Sequence, residues 1–206
     1  MLIKTLPVGM LETNCYIVTD DESKKCAIID PGADSNEILD YIESNNLTPV
    51  AVFLTHGHYD HHMALDAILE ETEVPAYVHE SEVDRSGQSR RHVLGDNGKL
   101  SFYSEGDIIE VGGLKFKVFE TPGHSRGSIT LMCEDALFTG DTLFRCECGR
   151  TDLEGGCEDT MMKSLKRLAE LEGDFEVYPG HAEASTLGYE RSFNRYMKFA
   201  TGESQS

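Results

Sequence analysis

The segment Thr55-His56-Gly57-His58-Tyr59-Asp60-His61-His62 follows directly on the apolar run Val50-Ala51-Val52-Phe53-Leu54. Four histidines and an aspartate stand within seven residues, in a chain that has eight histidines among 206 residues. The apolar run predicts a buried strand, so the chain leaves the core and breaks into a loop where the imidazoles begin. Loops at strand ends are where α/β architectures place chemistry. If extended geometry persists past the strand, His56 and His58 project the same way, which suits two ligands of one metal ion. Asp60 and His61 fall where the chain turns and aim at a second point nearby. Four ligands from one loop do not easily close a single tetrahedral shell, but they can begin two sites.

Two sites need further ligands, and the chain offers three candidates in similar surroundings. They are His124 in Thr121-Pro122-Gly123-His124, Asp141 in Phe138-Thr139-Gly140-Asp141, and His181 in Val177-Tyr178-Pro179-Gly180-His181. Each lies just beyond an apolar strand-like run and next to a glycine that allows close backbone approach. Ligands projecting from several strand ends toward one cleft produce this pattern. By contrast, lone histidines such as His79 and His92 are read as ordinary packed or surface residues, and His62 as pointing to solvent or capping the helix that follows.

The rest of the chain is strands in two groups, each followed by helices. Strand-like runs are Leu2–Leu6, Cys15–Val18, Cys26–Ile29, Val50–Leu54 and Ala76–Val78, then Asp107–Val111, Leu114–Glu120, Ser128–Cys133, Ala136–Thr139 and Phe175–Tyr178. Gly112-Gly113 is a hairpin turn. Asp34 and Glu37 have capping-box spacing ahead of a helix, and Met63–Leu69 is helical. Asp159 caps a helix running to Leu171 with Met161, Leu165 and Leu168 on one face, and a last helix covers Glu183–Phe199. Residues 80–105 are expected to form a helical turn and an irregular loop. Nothing resembles a linker or repeat, so residues 1–206 are expected to form one domain of mixed sheets with helices packed outside.

Composition excludes several partners. Net charge is −19, and the short basic clusters Arg90-Arg91 and Lys163 to Arg167 are flanked by acids. Counterion-release binding of nucleic acid needs clustered Lys and Arg, and an acidic surface disfavours an anionic membrane. There is no apolar run long enough to span a bilayer and no signal-peptide pattern at the start, so a cytoplasmic location is expected. Six cysteines in such a setting are expected to be reduced. Cys15, Cys26 and Cys133 read as small buried hydrophobes, whereas Cys146, Cys148 and Cys157 lie in a glycine-rich loop at a spacing that matches no usual zinc pattern.

The set His56-x-His58-x-Asp60-His61, His124, Asp141 and His181 resembles the ligand set of the metallo-β-lactamase fold superfamily. The resemblance covers residues 14–190. It implies an αββα four-layer sandwich, with two mixed β-sheets packed face to face and helices outside. It further implies that His56, His58 and His124 hold a first metal, that Asp60, His61 and His181 hold a second, and that Asp141 bridges them. Asp30, in the turn Asp30-Pro31-Gly32, resembles the acid that supports the histidine loop from below. Gly140-Asp141-Thr142-Leu143-Phe144, Gly149-Arg150-Thr151-Asp152 and Pro179-Gly180-His181 resemble the glyoxalase II (hydroxyacylglutathione hydrolase) branch. This chain ends 25 residues after His181 and lacks that branch's C-terminal glutathione-binding extension, so it looks like the short bacterial type.

The implied activity is hydrolysis of a small-molecule thioester or ester by a hydroxide bridging two divalent ions, Zn²⁺ first, with Fe or Mn also suited to imidazole and carboxylate. Asp60 is expected to guide a proton. Arg150, Thr151 and Asp152 are candidate substrate contacts, with an Arg150–Asp152 ion pair as the plainer alternative. Persulfide dioxygenases share the fold. By resemblance they use the equivalents of His56, His124 and Asp141 to hold a single Fe(II), which is the alternative activity. Oligomeric state leaves no readable signature.

Overall fold

A computed structural model describes residues 1–83, 94–95 and 98–203. Arg90, Arg91, His92 and the middle of the expected 80–105 loop therefore lie outside the described residues; the described part opens with the expected helical turn, Glu80–Glu82, but contains a strand, Leu100–Tyr103, where an irregular loop was expected. The first sheet has six strands in chain order: β1 (Leu2–Val8), β2 (Thr13–Thr19), β3 (Lys25–Ile29), β4 (Thr48–Phe53), β5 (Ala76–His79) and β6 (Leu100–Tyr103). Its first three strands pair antiparallel and β3 to β6 pair parallel. The crossovers carry α1 (Ser35–Ser44) and α2 (Leu65–Thr72).

The second sheet is built from β7 (Ile108–Val111), β8 (Leu114–Glu120), β9 (Ile129–Cys133), β10 (Ala136–Gly140), β13 (Glu176–Pro179) and β14 (Ser185–Thr186), in the order β14-β13-β10-β9-β8-β7. Only β10 and β13 are parallel, joined through α3 (Glu158–Ala169). A two-stranded hairpin of β11 (Leu143–Phe144) and β12 (Glu147–Cys148) intervenes. The chain closes with α4 (Leu187–Phe193) and α5 (Arg195–Thr201).

Strand periodicity sorts the side chains into three apolar layers. In β2, Tyr16 and Val18 face the second sheet while Cys15 and Ile17 face the first helical layer. At the end of β4 the same alternation puts Phe53 between the sheets and Val52 and Leu54 under α1 and α2. Leu137 and Val177, on the far side of the second sheet, pack with Met161, Leu165 and Leu168 of α3 and Met197 of α5. Between the sheets Phe53 meets Phe116 at 5.1 Å and Tyr16 meets Phe138 at 5.3 Å, measured between ring centroids. The result is a helix–sheet–sheet–helix sandwich, the architecture expected from the sequence. Cys15, Cys26 and Cys133 are buried in its cores, and burial pushes the Cys26 and Cys133 thiols up to about 12.

Three local expectations need correction. Asp34 precedes α1 but makes no capping bond; its backbone is left-handed (φ 52°), and its carboxylate accepts from the Gly9 N–H at 2.7 Å. The cap position of α3 is Cys157 rather than Asp159, which falls in the first turn. The expected Glu183–Phe199 helix is a short strand and two helices broken at Asn194. That side chain accepts from the N–H groups of Tyr196 and Met197, and so restarts the helix.

Candidate metal centre

Both sheets deliver their loops to one end of the sandwich. Past Phe53 the chain runs through Leu54 and Thr55 to His56 and His58, then makes a single 3-10 turn over Tyr59–His61 before α2. His124 follows β8, Asp141 follows β10 and His181 follows β13. Three groups of ligand atoms result, each within 4.8 Å: His56, His58 and His124; His56, His61 and Asp141; and Asp60, His61 and His181. His56 and His58 face His124, while Asp60 and His61 face His181.

Asp141 stands between the outer groups. Its Oδ2 is 3.5 Å from His124 Nε2 and 3.7 Å from His181 Nε2, and its Oδ1 is 3.4 Å from His61 Nε2. Asp60 Oδ2 lies 3.3 Å from His181 Nε2 and 3.7 Å from His61 Nε2. His58 Nδ1 and His124 Nε2 approach to 2.8 Å.

The outward-facing ring atoms are oriented by protein oxygens, as a metal-ligating histidine requires. His61 Nδ1 is 3.0 Å from Asp30 Oδ2, His124 Nδ1 is 2.8 Å from the Arg150 carbonyl, and His181 Nδ1 is 3.1 Å from the Leu11 carbonyl. Asp30 adopts a left-handed backbone (φ 50°), which aspartate tolerates better than most residues. From there it also accepts from the Thr55 N–H at 2.7 Å and the Thr55 hydroxyl at 2.6 Å. Neither Leu11 nor the Arg150 carbonyl carries a sequence signal, because a main-chain oxygen does not depend on its side chain.

Charge in the site is unbalanced toward the negative. Burial works against a charge on His61, yet the Asp141 and Asp30 carboxylates push its pKa up to about 9. Burial also opposes ionisation of Asp60, but the hydrogen bond from His181 and the charge of His61 hold its carboxyl well below the ordinary range. His181 is raised against its burial by Asp60 and Asp141, whereas burial dominates at His124 and lowers it. Three carboxylates directed at imidazole edges favour positive charge at the centre, whether as protons or as metal ions. His61 Nε2 and Asp141 Oδ1 are buried and make no hydrogen bond. Buried polar atoms without hydrogen bonds are rare in native proteins, and lone pairs turned toward a common point fit a divalent cation.

Close packing locks this geometry. A Cβ on Gly180 would run into the Asp141 carboxylate, and one on Gly149 into the Asp141 carbonyl. The second residue of β2 reaches across from the other sheet: Asn14 donates to the Pro179 carbonyl at 3.1 Å and the Ala182 carbonyl at 2.8 Å. The Tyr16 hydroxyl also donates to Pro179, at 2.6 Å. The His181 loop is therefore fixed by the opposite sheet.

The remaining candidates fall at the margin. Arg150 and Asp152 close on each other in an exposed bidentate ion pair with both bonds at 2.7 Å, the plainer of the two alternatives. Arg150 and Thr151 also line a surface pocket of about 270 Å³ with Cys148, Glu158 and Tyr196. His62 belongs to none of the three groups; it is half-buried and does not cap α2, whose cap position is Ala64. Cys146, Cys148 and Cys157 join no metal-binding group among the described residues.

Residues 8–181 match the metallo-beta-lactamase superfamily. The chain belongs to that superfamily, a family of metal-dependent hydrolases. Relatives include the probable metallo-hydrolase YqgX of Bacillus subtilis, 32% identical over 94% of this chain and 96% of its own length. Another is the hydroxyacylglutathione hydrolase GloC of Haemophilus influenzae, 32% identical over 96% and 98% of the two chains. Among solved structures, the B3 metallo-beta-lactamase BLEG-1 superposes with a TM-score of 0.86 at 31% identity, covering 95% of this chain and 99% of that one. TTHA1623 in a di-iron-bound form gives 0.80 at 32% identity, covering 94% and 99%. ETHE1 from Myxococcus xanthus gives 0.79 at 28% identity, covering 100% and 92%. Among the described residues no helix is long and apolar enough to cross a membrane.

Proposed function

We propose that this protein is a glyoxalase II-like hydrolase of small hydroxyacyl thioesters or esters, working with two divalent ions. The observation that carries the reading is the position of Asp141 between His124 on one side and His61 and His181 on the other. His56, His58 and His124 would hold one ion, Asp60, His61 and His181 the other, and Asp141 would reach both. Zinc suits this donor set, and the di-iron form of TTHA1623 supports iron as an alternative occupant. When bound, two such ions supply Lewis acidity that acidifies water to near neutral pH and polarises a carbonyl.

The chain's own residues supply the rest. Asp30 and the carbonyls of Arg150 and Leu11 fix the ring orientations, so the ligands are aligned before substrate arrives. Asp60, partly open to solvent, would guide the proton released from water out of the site. The pocket lined by Arg150 and Thr151 receives the part of the substrate remote from the reacting carbonyl. The likeness to hydroxyacylglutathione hydrolase GloC over nearly both full lengths supports a hydroxyacyl thioester. All six cysteines are unpaired, which supports a reducing, cytoplasmic setting.

A second reading is persulfide oxidation with one Fe(II) held by His56, His124 and Asp141, the three positions at which this chain resembles the persulfide dioxygenases of the same fold; the Asp141 carboxylate stands 3.5 Å from His124 Nε2. One experiment separates the two: elemental mass spectrometry on protein purified without added metal, followed by a panel of hydroxyacyl thioesters. Two divalent ions per chain with thioester cleavage support the hydrolase. One iron per chain, with oxygen consumed on a persulfide and no thioester cleaved, overturns it in favour of the dioxygenase.

A further inference from the structure

A buried carboxylate that the proposed chemistry does not use joins the two halves of the metal centre. Glu82 ends a single 3-10 turn, Glu80–Glu82, directly after β5, and is 1% exposed. Its Oε2 accepts from the Gly57 N–H at 2.6 Å and its Oε1 from the Gly127 N–H at 2.6 Å. Gly57 lies between His56 and His58, in the loop of the first sheet. Gly127 lies three residues after His124, in the loop of the second. One side chain therefore spans the two loops whose histidines converge.

Packing shows that this arrangement is built. A Cβ on Gly57 would stand 2.7 Å from the Glu82 carbonyl oxygen, and one on Gly127 would stand 2.6 Å from His79 Nδ1 and 3.0 Å from Glu82 Cγ. Both donors are glycines packed directly against Glu82 and its neighbour. A second bond runs parallel to the clamp, from the Ile129 N–H to the Thr55 carbonyl at 2.9 Å. Asp30 grips the first-sheet loop at Thr55 and His61, and makes no bond to the second-sheet loop among those described. Glu82 acts at the seam.

We propose that Glu82 is a positioning residue that sets the spacing of His56 and His58 against His124, and so the affinity of the three-histidine site for its ion. The proposal rests on the two-ion reading. A carboxylate offers an acceptor to each N–H, and charge-assisted bonds are about twice as strong as neutral ones. Glutamine presents one oxygen and one NH₂ group, so in Glu82→Gln one glycine N–H faces a donor. The loops then lose their common anchor, whereas Asp60, His61 and His181 keep Asp30, Asn14 and the Leu11 carbonyl.

The test is chelator competition on zinc-loaded wild-type protein and Glu82→Gln, read as ions retained per chain. Loss of partners behind metal ligands typically weakens binding about 10- to 100-fold. In Glu82→Gln one ion is expected to leave at 10- to 100-fold lower chelator, with the other within threefold of wild type. If both ions leave at wild-type chelator concentrations, even with a lowered Tm, Glu82 is merely structural and the proposal is overturned. Simultaneous loss of both ions overturns it too. A wild-type protein that never takes up two ions removes the two-ion reading itself. Should Glu82→Gln not fold, amide exchange on the wild-type protein decides: the Gly57 and Gly127 N–H groups are expected to be strongly protected, and open-loop exchange rates overturn the clamp.

Discussion

His58 Nδ1 and His124 Nε2 lie 2.8 Å apart although the two residues belong to loops of opposite sheets, 66 positions apart in the chain. Two neutral imidazole nitrogens both bearing lone pairs repel at that distance, so the pair needs either a shared proton or a shared cation. Replacement of His58 by alanine is expected to release one ion per chain and weaken its binding more than about 100-fold, beyond the range for residues behind the ligands. Elemental analysis after dialysis checks this, and retention of both ions would show that His58 is not a ligand.

Asp60→Asn keeps the size of the side chain and removes its charge. General-base contributions are commonly about 10²–10⁴-fold, so thioester turnover is expected to fall by at least about 100-fold. Turnover equal to wild type in a variant carrying both ions would assign Asp60 no part in proton movement.

Gly180→Ala introduces a methyl group where the Asp141 carboxylate stands. Overpacking in closely fitted regions costs about 1–3 kcal/mol, to be read from the urea midpoint. The same displacement moves the carboxylate that faces both histidine groups, so ion uptake should fall as well. An unchanged midpoint together with full ion content would contradict the fit described.

Asn14→Ala leaves the Pro179 carbonyl with the Tyr16 hydroxyl and strips the Ala182 carbonyl of its amide donor. Ala182 is exposed, so water can take the donor's place and the cost is that of a typical hydrogen bond, about 0.5–1.5 kcal/mol. Because Asn14 holds only the His181 loop, one ion should weaken while the ion at the three histidines stays. Stepwise chelator titration distinguishes this from a general loss of structure.

Asp20 supplies a pH-dependent contact. Its carboxylate accepts from the Ser23 hydroxyl at 2.5 Å and the Gly113 N–H at 2.9 Å, tying the β2–β3 turn to the β7–β8 hairpin of the other sheet. The Ser23 hydroxyl and the Gly113 N–H hold its pKa at about 2, below the ordinary 3.8. A depressed folded-state pKa means that the contribution is fully present above pH 3.8 and is lost as pH falls toward 2. In Asp20→Asn the urea midpoint should fall less steeply over that window than in wild type; identical slopes would remove the contact from the acid response.

The convergence of the loop His56 to His61 was legible because its candidate ligands are neighbours in the chain and directly follow a strand whose apolar run announces its burial. The placement of His124, Asp141 and His181 beside that loop was legible through a repeated local context of strand, glycine and His or Asp. Glu82 was not, since its importance lies in bonds to residues 25 and 45 positions away, and nothing in Glu-Ser-Glu-Val marks it. Asp34 shows a local rule overridden at long range: the Gly9 N–H took the carboxylate that a capping box would have used. At the C-terminus, helical periodicity continued through Asn194, whose side chain turned out to end one helix and start another. The hairpin Leu143–Cys148 was missed because two-residue strands carry no period to detect.

The seam between the sheets has a thermodynamic consequence. Ions held as proposed, by side chains from both halves of the chain, would bind the folded molecule and have no comparable seat in the unfolded one. By mass action, free ion at about 1,000 times its dissociation constant adds about 4 kcal/mol per site to the folding free energy. Two such sites together would be comparable with the entire stability of a small domain, about 5–15 kcal/mol. Under metal starvation the molecule would therefore lose the rivet between its halves along with its chemistry, and the melting temperature would report cellular ion supply.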